Sequence, residues 1–300
     1  MATRWGICSA GKISHDFTVA LRTLPPGDHQ VLAVAARDLR HAQEFAERHS
    51  IPRSYGSYEE LAKDAEIDVV YVGTIHPHHL TAGVLFMNAG KSVLCEKPMA
   101  MNGREVQELI ATARKNDVFL MEAVWTRFFP VSLEIGRSLA QGEIGDVLMF
   151  VVLAFGGERP ESVQATGVCL DSGVDGTTVV TLKFSRNRTA VCTCSITMQL
   201  TNDAVIVGSK GTIRVPTNMW CPTSLVVNGK EKQYPLPEPG QQLNFLHSTG
   251  LSYEAEEVRK CLLKGLRESS QMPLSDSALL AEIMDEARRQ VGVVYSQDSQ

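Results

Sequence analysis

The stretch Gly6–Ser14, "GICSAGKIS", decides the fold class of this 300-residue chain. An apolar run at residues 4–10 leads into it, and a segment with helical periodicity, residues 14–24, follows it. A strand that turns through glycine into a helix is where α/β domains bind a dinucleotide, because free N–H groups at the helix start attract phosphate. The glycine pattern is incomplete: the register is Ser9-x-Gly11-x-x-Ser14, and only the middle glycine remains. An ordinary strand-to-helix turn therefore stays an alternative.

Short apolar or β-branched runs alternate with helical segments over the first 123 residues. The other strand-like runs are residues 30–36, 68–74, 91–95 and 117–123. Helix starts are marked by Asp38, by Ser57 with Glu60, and by Asn102 with Glu105. This alternation predicts a parallel sheet covered by helices on both faces, the architecture of a Rossmann domain.

The periodicity changes in the second half of the chain. Residues alternate between apolar and polar at 180–184 and again at 192–198, which predicts an antiparallel sheet with one buried face. Asn228-Gly229 indicates a type I′ hairpin, and helices are predicted over 252–267 and 275–291. The predicted fold is α/β, with an N-terminal Rossmann dinucleotide-binding domain at 1–123 and a C-terminal α+β domain at 124–300 whose open sheet is mostly antiparallel.

Composition excludes several classes of partner. The chain has 29 basic and 34 acidic residues, a net charge of -5 and no basic block, so nucleic-acid binding is not expected. No apolar run reaches the roughly 18 residues of a membrane span. Seven cysteines without a CxxC pair, Cys192 and Cys194 among them, indicate reduced and mostly buried thiols. We expect a cytoplasmic protein with a small-molecule partner.

The end of the second strand bears on the cofactor. "VLAVAARD" ends in Ala36-Arg37, where an enzyme that uses NAD would place Asp or Glu on the ribose 2′-hydroxyl. A guanidinium suits a 2′-phosphate because it forms paired hydrogen bonds with it, so Arg37 favours NADP. The alternative is a solvated arginine beside a helix start.

The stretch Val93–Met99, "VLCEKPM", places Glu96 and Lys97 at the end of a buried strand. An ammonium is rarely placed there without a charged or catalytic role. We expect Lys97 to be partly desolvated and to relay a proton, working best beside a second acid/base group.

Together these motifs resemble the glucose-fructose oxidoreductase and inositol dehydrogenase family over nearly the whole chain. The resemblance is carried by the Ser9-x-Gly11-x-Ile13 turn, "VYVGT" followed by His79, "EKP", and "EAVWTRFFP" at 122–130. It implies an NADP-dependent oxidoreductase that takes a hydride from a trans-dihydrodiol or a D-xylose-like sugar. It also implies a homodimer formed through the outer face of the open sheet.

The resemblance further implies roles for individual residues. Ser9, Gly11 and Ile13 would lie along the pyrophosphate, and Arg37 would hold the 2′-phosphate. The cofactor cleft would be lined by Tyr71, Thr74 and His79; Glu96 and Lys97 would flank the nicotinamide and its ribose; Trp125 and Arg127 would border the substrate.

Several of these residues also suit structural roles. Tyr71 and Thr74 suit core and strand-end positions, His79 suits a helix start, and Trp125 is expected to be buried in either case. The histidines around His79 lack a Cys or carboxylate partner at ligand spacing, so no metal site is predicted.

One part of the family pattern is missing. The family's second acid/base group is a Tyr or His in a GG-x-L-x-D-x-G-x-Y type of motif, and no tyrosine here follows Asp-x-Gly. The sequence indicates an internal deletion near residues 150–154, which would expose Val151, Leu153 and Phe155. His247 and Tyr253 are weak substitutes, since nothing in the spacing places them near Lys97. Two alternatives follow: a catalytically impaired NADP-binding protein, or a chain that does not fold stably.

Overall fold

The computed structural model describes residues 2–150 and 158–299. Val151, Leu153 and Phe155, which the predicted deletion would expose, lie outside the described residues. The chain forms two compact units, Met1–Phe128 with Leu236–Ala278, and Phe129–Pro235 with Leu279–Gln300. The division at residue 123 stays a prediction, and the units show that the chain returns to the first unit after leaving it.

The first unit contains the predicted parallel sheet, with six strands in the order β3-β2-β1-β4-β5-β6. The strands are β1 (Thr3–Cys8), β2 (His29–Ala35), β3 (Arg53–Tyr55), β4 (Val69–Val72), β5 (Ser92–Glu96) and β6 (Leu120–Ala123). The helices between them are α1 (Lys12–Leu21), α2 (Leu39–Arg48), α3 (Tyr58–Ala62), α4 (His79–Asn88) and α5 (Gly103–Asn116). All four residues of β4 are buried, as expected for a central parallel strand with helices on both faces.

The helices begin at the predicted caps. The side chain of Asp38 accepts a hydrogen bond from the Arg40 N–H, and that of Asn102 accepts one from the Glu105 N–H. Ser57 and Glu60 form a full capping box. These short polar side chains satisfy N–H groups that a helix start leaves free, which fixes where each helix begins.

The second unit contains α6 (Pro130–Ala140) and an eight-stranded sheet in the order β14-β13-β12-β11-β7-β10-β9-β8. Its strands are β7 (Val147–Phe150), β8 (Ser162–Cys169), β9 (Asp175–Phe184), β10 (Arg188–Ser195), β11 (Ala204–Gly208), β12 (Gly211–Val215), β13 (Ser224–Val227) and β14 (Lys230–Gln233). The pairings are antiparallel except for β7 with β10, so the predicted, mostly antiparallel sheet is confirmed. The predicted hairpin at Asn228-Gly229 joins β13 to β14, with positive φ angles of 50° and 79°.

The predicted burial of the alternating segment 192–198 is wrong for most of its apolar residues. Cys192 is half-buried and Cys194 is exposed, while Ile196 and Met198 follow the end of β10 and are 72% and 56% exposed. The buried cluster of this unit takes Ala190 from β10, and the later residues extend past that cluster. Periodicity therefore identified the face but not how far the core covers it.

Two further helices complete the chain, α7 (Leu251–Leu263) and α8 (Leu274–Val291), near the predicted ranges. The segment before α7 returns to the first unit because α1 binds it. The buried carboxylate of Asp16 accepts the N–H groups of Asn244 at 2.9 Å and of Phe245 at 2.8 Å. Within residues 2–150 and 158–299, no helix combines the length and apolar character that a membrane crossing requires.

Candidate active site

A cavity of about 460 Å³ lies where β1, β2 and β4 of the first unit end. Among the residues that line it are Ser9, Gly11, Arg37 and Thr74, four of the predicted cofactor residues. Ligands of doubly wound sheets bind at the carboxyl ends of the strands, next to the strand where the order reverses. The sheet order places that reversal at β1 and β4, so the cavity is at the expected position.

The turn between β1 and α1 keeps its shape although its first glycine is replaced. Ser9 stands at that position with φ 89°, a left-handed conformation that side chains other than glycine disfavour. Its N–H donates to the Ala35 carbonyl at 2.9 Å, which holds the turn. Gly11 precedes α1 as its cap without a side-chain hydrogen bond, and Ile13 is half-buried in the first turn.

Replacing Ser9 with glycine is expected to raise the free energy of unfolding by about 1 kcal/mol. Strained residues of this kind cost of order 1–3 kcal/mol, and the greater freedom of glycine in the unfolded chain offsets part of the gain. Thermal or denaturant unfolding measures the change. The matched control is Ser92→Gly in β5, where glycine relieves no positive φ angle and is expected to destabilise. Equal losses in both variants would contradict the strain.

Close packing of α1 on the sheet depends on Gly73, whose role sequence reasoning missed. A Cβ atom at Gly73 would lie 2.4 Å from Ser14 Oγ and 2.8 Å from the Tyr71 ring. Ser14 occupies the third position of the glycine pattern, where glycine usually permits helix and strand to approach. In this chain Gly73, the residue after β4, leaves the space that Ser14 needs. The glycine in "VYVGT" was the available signal.

Arg37 lines the cavity at the end of β2 and is exposed. The neighbouring Asp38 also lines it, and an acidic residue there would ordinarily suggest a ribose hydroxyl as its partner. Its carboxylate is already engaged, since Oδ1 accepts the Arg40 N–H at 2.8 Å, and this bond lowers the pKa of Asp38. Arg37 therefore offers an exposed guanidinium at this end of the cavity, beside a carboxylate that already caps a helix.

Tyr71 is fully buried in β4 and contacts Glu96 at the end of β5 rather than the cavity. Its ring stacks on Phe17 with centroids 3.8 Å apart, and its hydroxyl donates to Glu96 Oε1 at 2.7 Å. The other oxygen of Glu96 accepts the backbone N–H of Lys97 at 3.2 Å. Burial raises the pKa of both Tyr71 and Glu96. Tyr71 thus positions Glu96 at the end of β5.

Lys97 follows Glu96 and is exposed. Because β5 ends at Glu96, the burial ends with the strand, and the expected desolvation of Lys97 beside a bound nicotinamide stays a prediction. An exposed ammonium keeps access to a ligand at the strand ends. The shifted pKa in this segment belongs to the buried neighbour Glu96, whose pKa is raised by burial.

Glu254 of α7 interacts electrostatically with Glu96 and Lys97, and sequence reasoning missed it. Its side chain is fully buried, and neither carboxyl oxygen has a hydrogen-bond partner among residues 2–150 and 158–299. Burial raises the pKa of Glu254 well above its ordinary value; the charge of Glu96 raises it further, and that of Lys97 lowers it. Burial therefore favours the neutral form of Glu254. Glu254 directly follows Tyr253, the residue named above as a weak substitute for the missing tyrosine.

His79 links two strand-end segments. It is 1% exposed, with Nδ1 2.8 Å from the Pro98 carbonyl oxygen and Nε2 3.0 Å from that of Thr74. A neutral ring can donate to only one of them, and burial lowers the pKa of His79. His79 thereby ties the turn after β4 to the turn after β5. No cluster of three metal-ligating side chains occurs in the part of the chain that the structure describes.

The two predicted substrate residues lie on the turn Trp125–Phe128 after β6. Trp125 is half-buried. Arg127 is engaged within the first unit: its Nη1 donates to Asp276 Oδ2 at 2.5 Å and to the Gln271 carbonyl at 3.1 Å. The pair is largely buried, with side-chain exposures of 19% and 7%. Its position near the substrate stays a prediction, and the ion pair is its observed contact.

Comparison with known proteins shows which family the chain resembles. Residues 3–124 match the oxidoreductase family with an NAD-binding Rossmann fold, and residues 104–214 match the GFO/IDH/MocA C-terminal domain. A Danio rerio protein named trans-1,2-dihydrobenzene-1,2-diol dehydrogenase is 64% identical, with all of both chains covered. The chain belongs to the GFO/IDH/MocA family of oxidoreductases. A Homo sapiens protein of the same name is 46% identical over 99% of each chain.

Two solved structures share the fold at low sequence identity. Levoglucosan dehydrogenase in complex with NADH and levoglucosan superposes with a TM-score of 0.80 at 16% identity, covering 97% of this chain and 98% of the other. A 3-ketoreductase from Actinomadura kijaniata, a mutant in complex with TDP-benzene and NADP, gives 0.78 at 21% identity, with the same coverage. These structures carry NADH or NADP, and the family's first domain binds this class of dinucleotide.

The alignment with the Danio rerio protein also bears on the missing motif. It runs over 334 positions, while this chain has 300 residues, so at least 34 positions face no residue of this chain. Such a gap agrees with an internal deletion. Its location near residues 150–154 stays a prediction.

Proposed function

We propose that this chain binds NADP in preference to NAD and transfers a hydride to it from an alcohol carbon of a trans-dihydrodiol or a D-xylose-like sugar. The relatives named for dihydrobenzenediol support the diol, and the family supports the reaction class. The observation that carries the cofactor preference is the exposed guanidinium of Arg37 in the cavity, beside a carboxylate that caps a helix.

The cavity fits a dinucleotide at the start of α1. A Cβ atom at Gly11 would lie 3.5 Å from Ser9 Oγ and 4.0 Å from the Gly73 carbonyl oxygen, which are ordinary van der Waals distances, so the protein itself does not crowd this position. A phosphate placed there meets the free N–H groups of the helix start. Ser9, Gly11 and Ile13 would then lie along the pyrophosphate, and Thr74 and His79 would border the cleft.

The proton chemistry falls to the end of β5. Bound NADP would supply the hydride acceptor at its nicotinamide. Lys97 is exposed at the end of β5, and as a general base it would take the proton that the substrate hydroxyl releases. Glu96, fixed by Tyr71, would hold the backbone of Lys97 in place, and Trp125 would border the substrate.

Replacing Arg37 with alanine is expected to weaken NADP binding about 10- to 100-fold and to change NAD binding little. Hydrogen bonds to charged groups contribute about 1.5–3 kcal/mol, and each 1.4 kcal/mol is tenfold in affinity. Isothermal titration with both nucleotides measures this.

Arg40→Ala is the matched control, because Arg40 lies three residues further along and is 74% exposed, with a weak pair to Glu44. Equal losses of NADP affinity in both variants would show a general charge effect and contradict the assignment of Arg37. Equal losses of NAD and NADP affinity in Arg37→Ala would contradict recognition of the 2′-phosphate.

A second candidate function is an NADP-binding protein without hydride transfer. The specific observation in its favour is the gap of at least 34 positions, together with the absence of a tyrosine after Asp-x-Gly. It predicts the same dependence of NADP binding on Arg37 but no NADPH formation. The two functions therefore differ only in turnover.

The setting of the proposed enzyme follows from the family resemblance and the composition. We propose that it acts as a homodimer in the cytoplasm on a small-molecule substrate, with neither nucleic acid nor membrane as partner. Sedimentation of the purified chain tests the dimer, since the proposal predicts twice the mass of 32.9 kDa.

A further inference from the structure

Two cysteines of the second unit share one face of β10. Cys192 and Cys194 stand opposite Val180 and Thr178 of β9 in the antiparallel register. Residues two apart on a strand point to the same side, so both lie on the face that carries the buried Ala190. Their sulfur atoms are 3.7 Å apart.

The pair is accessible where the core ends. Cys194 is exposed and Cys192 half-buried, whereas Cys8, Cys95, Cys221 and Cys261 are buried. The remaining cysteine, Cys169 of β8, is also exposed, and its sulfur contacts the Val291 carbonyl oxygen at 3.3 Å. Two adjacent accessible thiols differ from a single one because the second can react with an oxidised form of the first.

The contact between the two thiols also separates their acidities. The hydrogen bond with Cys192 lowers the pKa of Cys194 to about 7, and the same contact raises that of Cys192. Asp175 opposes part of this effect at Cys194. The thiolate is the form that attacks peroxides, so the pair contains a nucleophile and a nearby thiol that can follow it.

We propose that Cys192 and Cys194 form a dithiol site that hydrogen peroxide oxidises to an intrachain disulfide. The Cys194 thiolate attacks one peroxide oxygen, the O–O bond breaks, and the hydroxide released takes up a proton as water. The sulfenic acid on Cys194 is then attacked by the Cys192 sulfur, which forms the S–S bond and releases a second water. The two thiols lose two hydrogens and two electrons, and the peroxide is reduced to two waters.

The strand backbone permits this bond with a small adjustment. A rise of about 3.2–3.4 Å per residue places alternate Cα atoms roughly 6.4–6.8 Å apart, the upper end of the range that a disulfide spans. Closing the bond would draw the strand together between Cys192 and Cys194. We expect it to loosen the ladder with β9 at Val180 and Thr178.

Treatment of the full chain with hydrogen peroxide, followed by trypsin and mass spectrometry, tests the site. Cleavage after Arg188 and Lys210 gives the peptide Thr189–Lys210, which contains these two cysteines and no other. The expected product is this peptide lighter by two hydrogens, with the mass restored by dithiothreitol. Cys169→Ser, the matched variant at the other exposed thiol, is expected to give the same product.

A second variant tests the role of Cys192 in activating its neighbour. At pH 7 a thiol with a pKa of about 7 is half ionised, against a few per cent for an unperturbed one near 8.5, and lower nucleophilicity offsets part of the gain. In Cys192→Ala, which removes both the hydrogen-bond donor and the second thiol, the reaction of Cys194 with peroxide is expected to slow several-fold and to stop at a sulfenic acid that dimedone traps. A disulfide that joins either cysteine to Cys169 or to a second chain, or a peptide that keeps both thiols while Cys169 oxidises, would overturn the proposal.

Discussion

Replacing Arg127 with leucine is expected to lower the free energy of unfolding by about 3–5 kcal/mol, because it leaves a buried carboxylate without its partner. Asp276 is 7% exposed and receives the guanidinium at 2.5 Å. The loss measures the isolated charge rather than the net contribution of the pair. Chemical denaturation of the wild type and the variant measures it.

The double variant Arg127→Leu with Asp276→Leu separates a structural role of Arg127 from a role in substrate binding. Removing both charges takes away the isolated carboxylate, so most of the lost stability should return. A single Arg127→Leu variant that keeps its stability but raises the KM for substrate would contradict the structural role. That result would support the position of Arg127 beside the substrate, which the family resemblance implies.

Replacing Glu254 with glutamine is expected to reduce the decline of stability with rising pH. Burial raises the pKa of Glu254, so the folded chain holds this proton at pH values where the unfolded chain has released it. The contribution of Glu254 to stability is therefore complete below the unfolded pKa and is lost as the pH rises toward the folded pKa. Within that window each extra proton held by the folded state lowers stability by about 1.36 kcal/mol per pH unit.

Unfolding free energies between pH 5 and 8, roughly the range above the ordinary glutamate pKa of about 4.3, measure this slope. Glu96 and Glu122 also have pKa values raised by burial, so a slope remains in the variant but decreases by the share of Glu254. Glu108→Gln, an exposed position on α5, is the matched control and should leave the slope unchanged. An unchanged slope in Glu254→Gln would show that Glu254 is ionised in the folded chain.

The sequence predicted the features that depend on neighbours along the chain. Alternating strands and helices fixed the parallel sheet, and the caps at Asp38, Ser57 and Asn102 fixed where helices begin, because capping is a local interaction. Asn228-Gly229 fixed a hairpin for the same reason. Arg37 could be placed in the cavity because the end of β2 lies beside the turn after β1 in any Rossmann sheet.

The features that were missed depend on contacts between distant parts of the chain. Glu254 lies more than 150 residues after Glu96, and only the return of residues 236–278 to the first unit brings them together. The pairing of Arg127 with Asp276 has the same origin. Periodicity correctly placed Cys194 on the same face of β10 as the buried Ala190, but it could not show that the core ends before Cys194.

The most direct test of the central claim is NADPH formation from a trans-dihydrodiol or D-xylose, with saturating NADP, by the wild-type chain and by Lys97→Met. The account predicts NADPH formation by the wild type and its loss in Lys97→Met, with NADP still bound by both. A wild-type chain that binds NADP but forms no NADPH from either substrate would contradict hydride transfer and leave the cofactor-binding function.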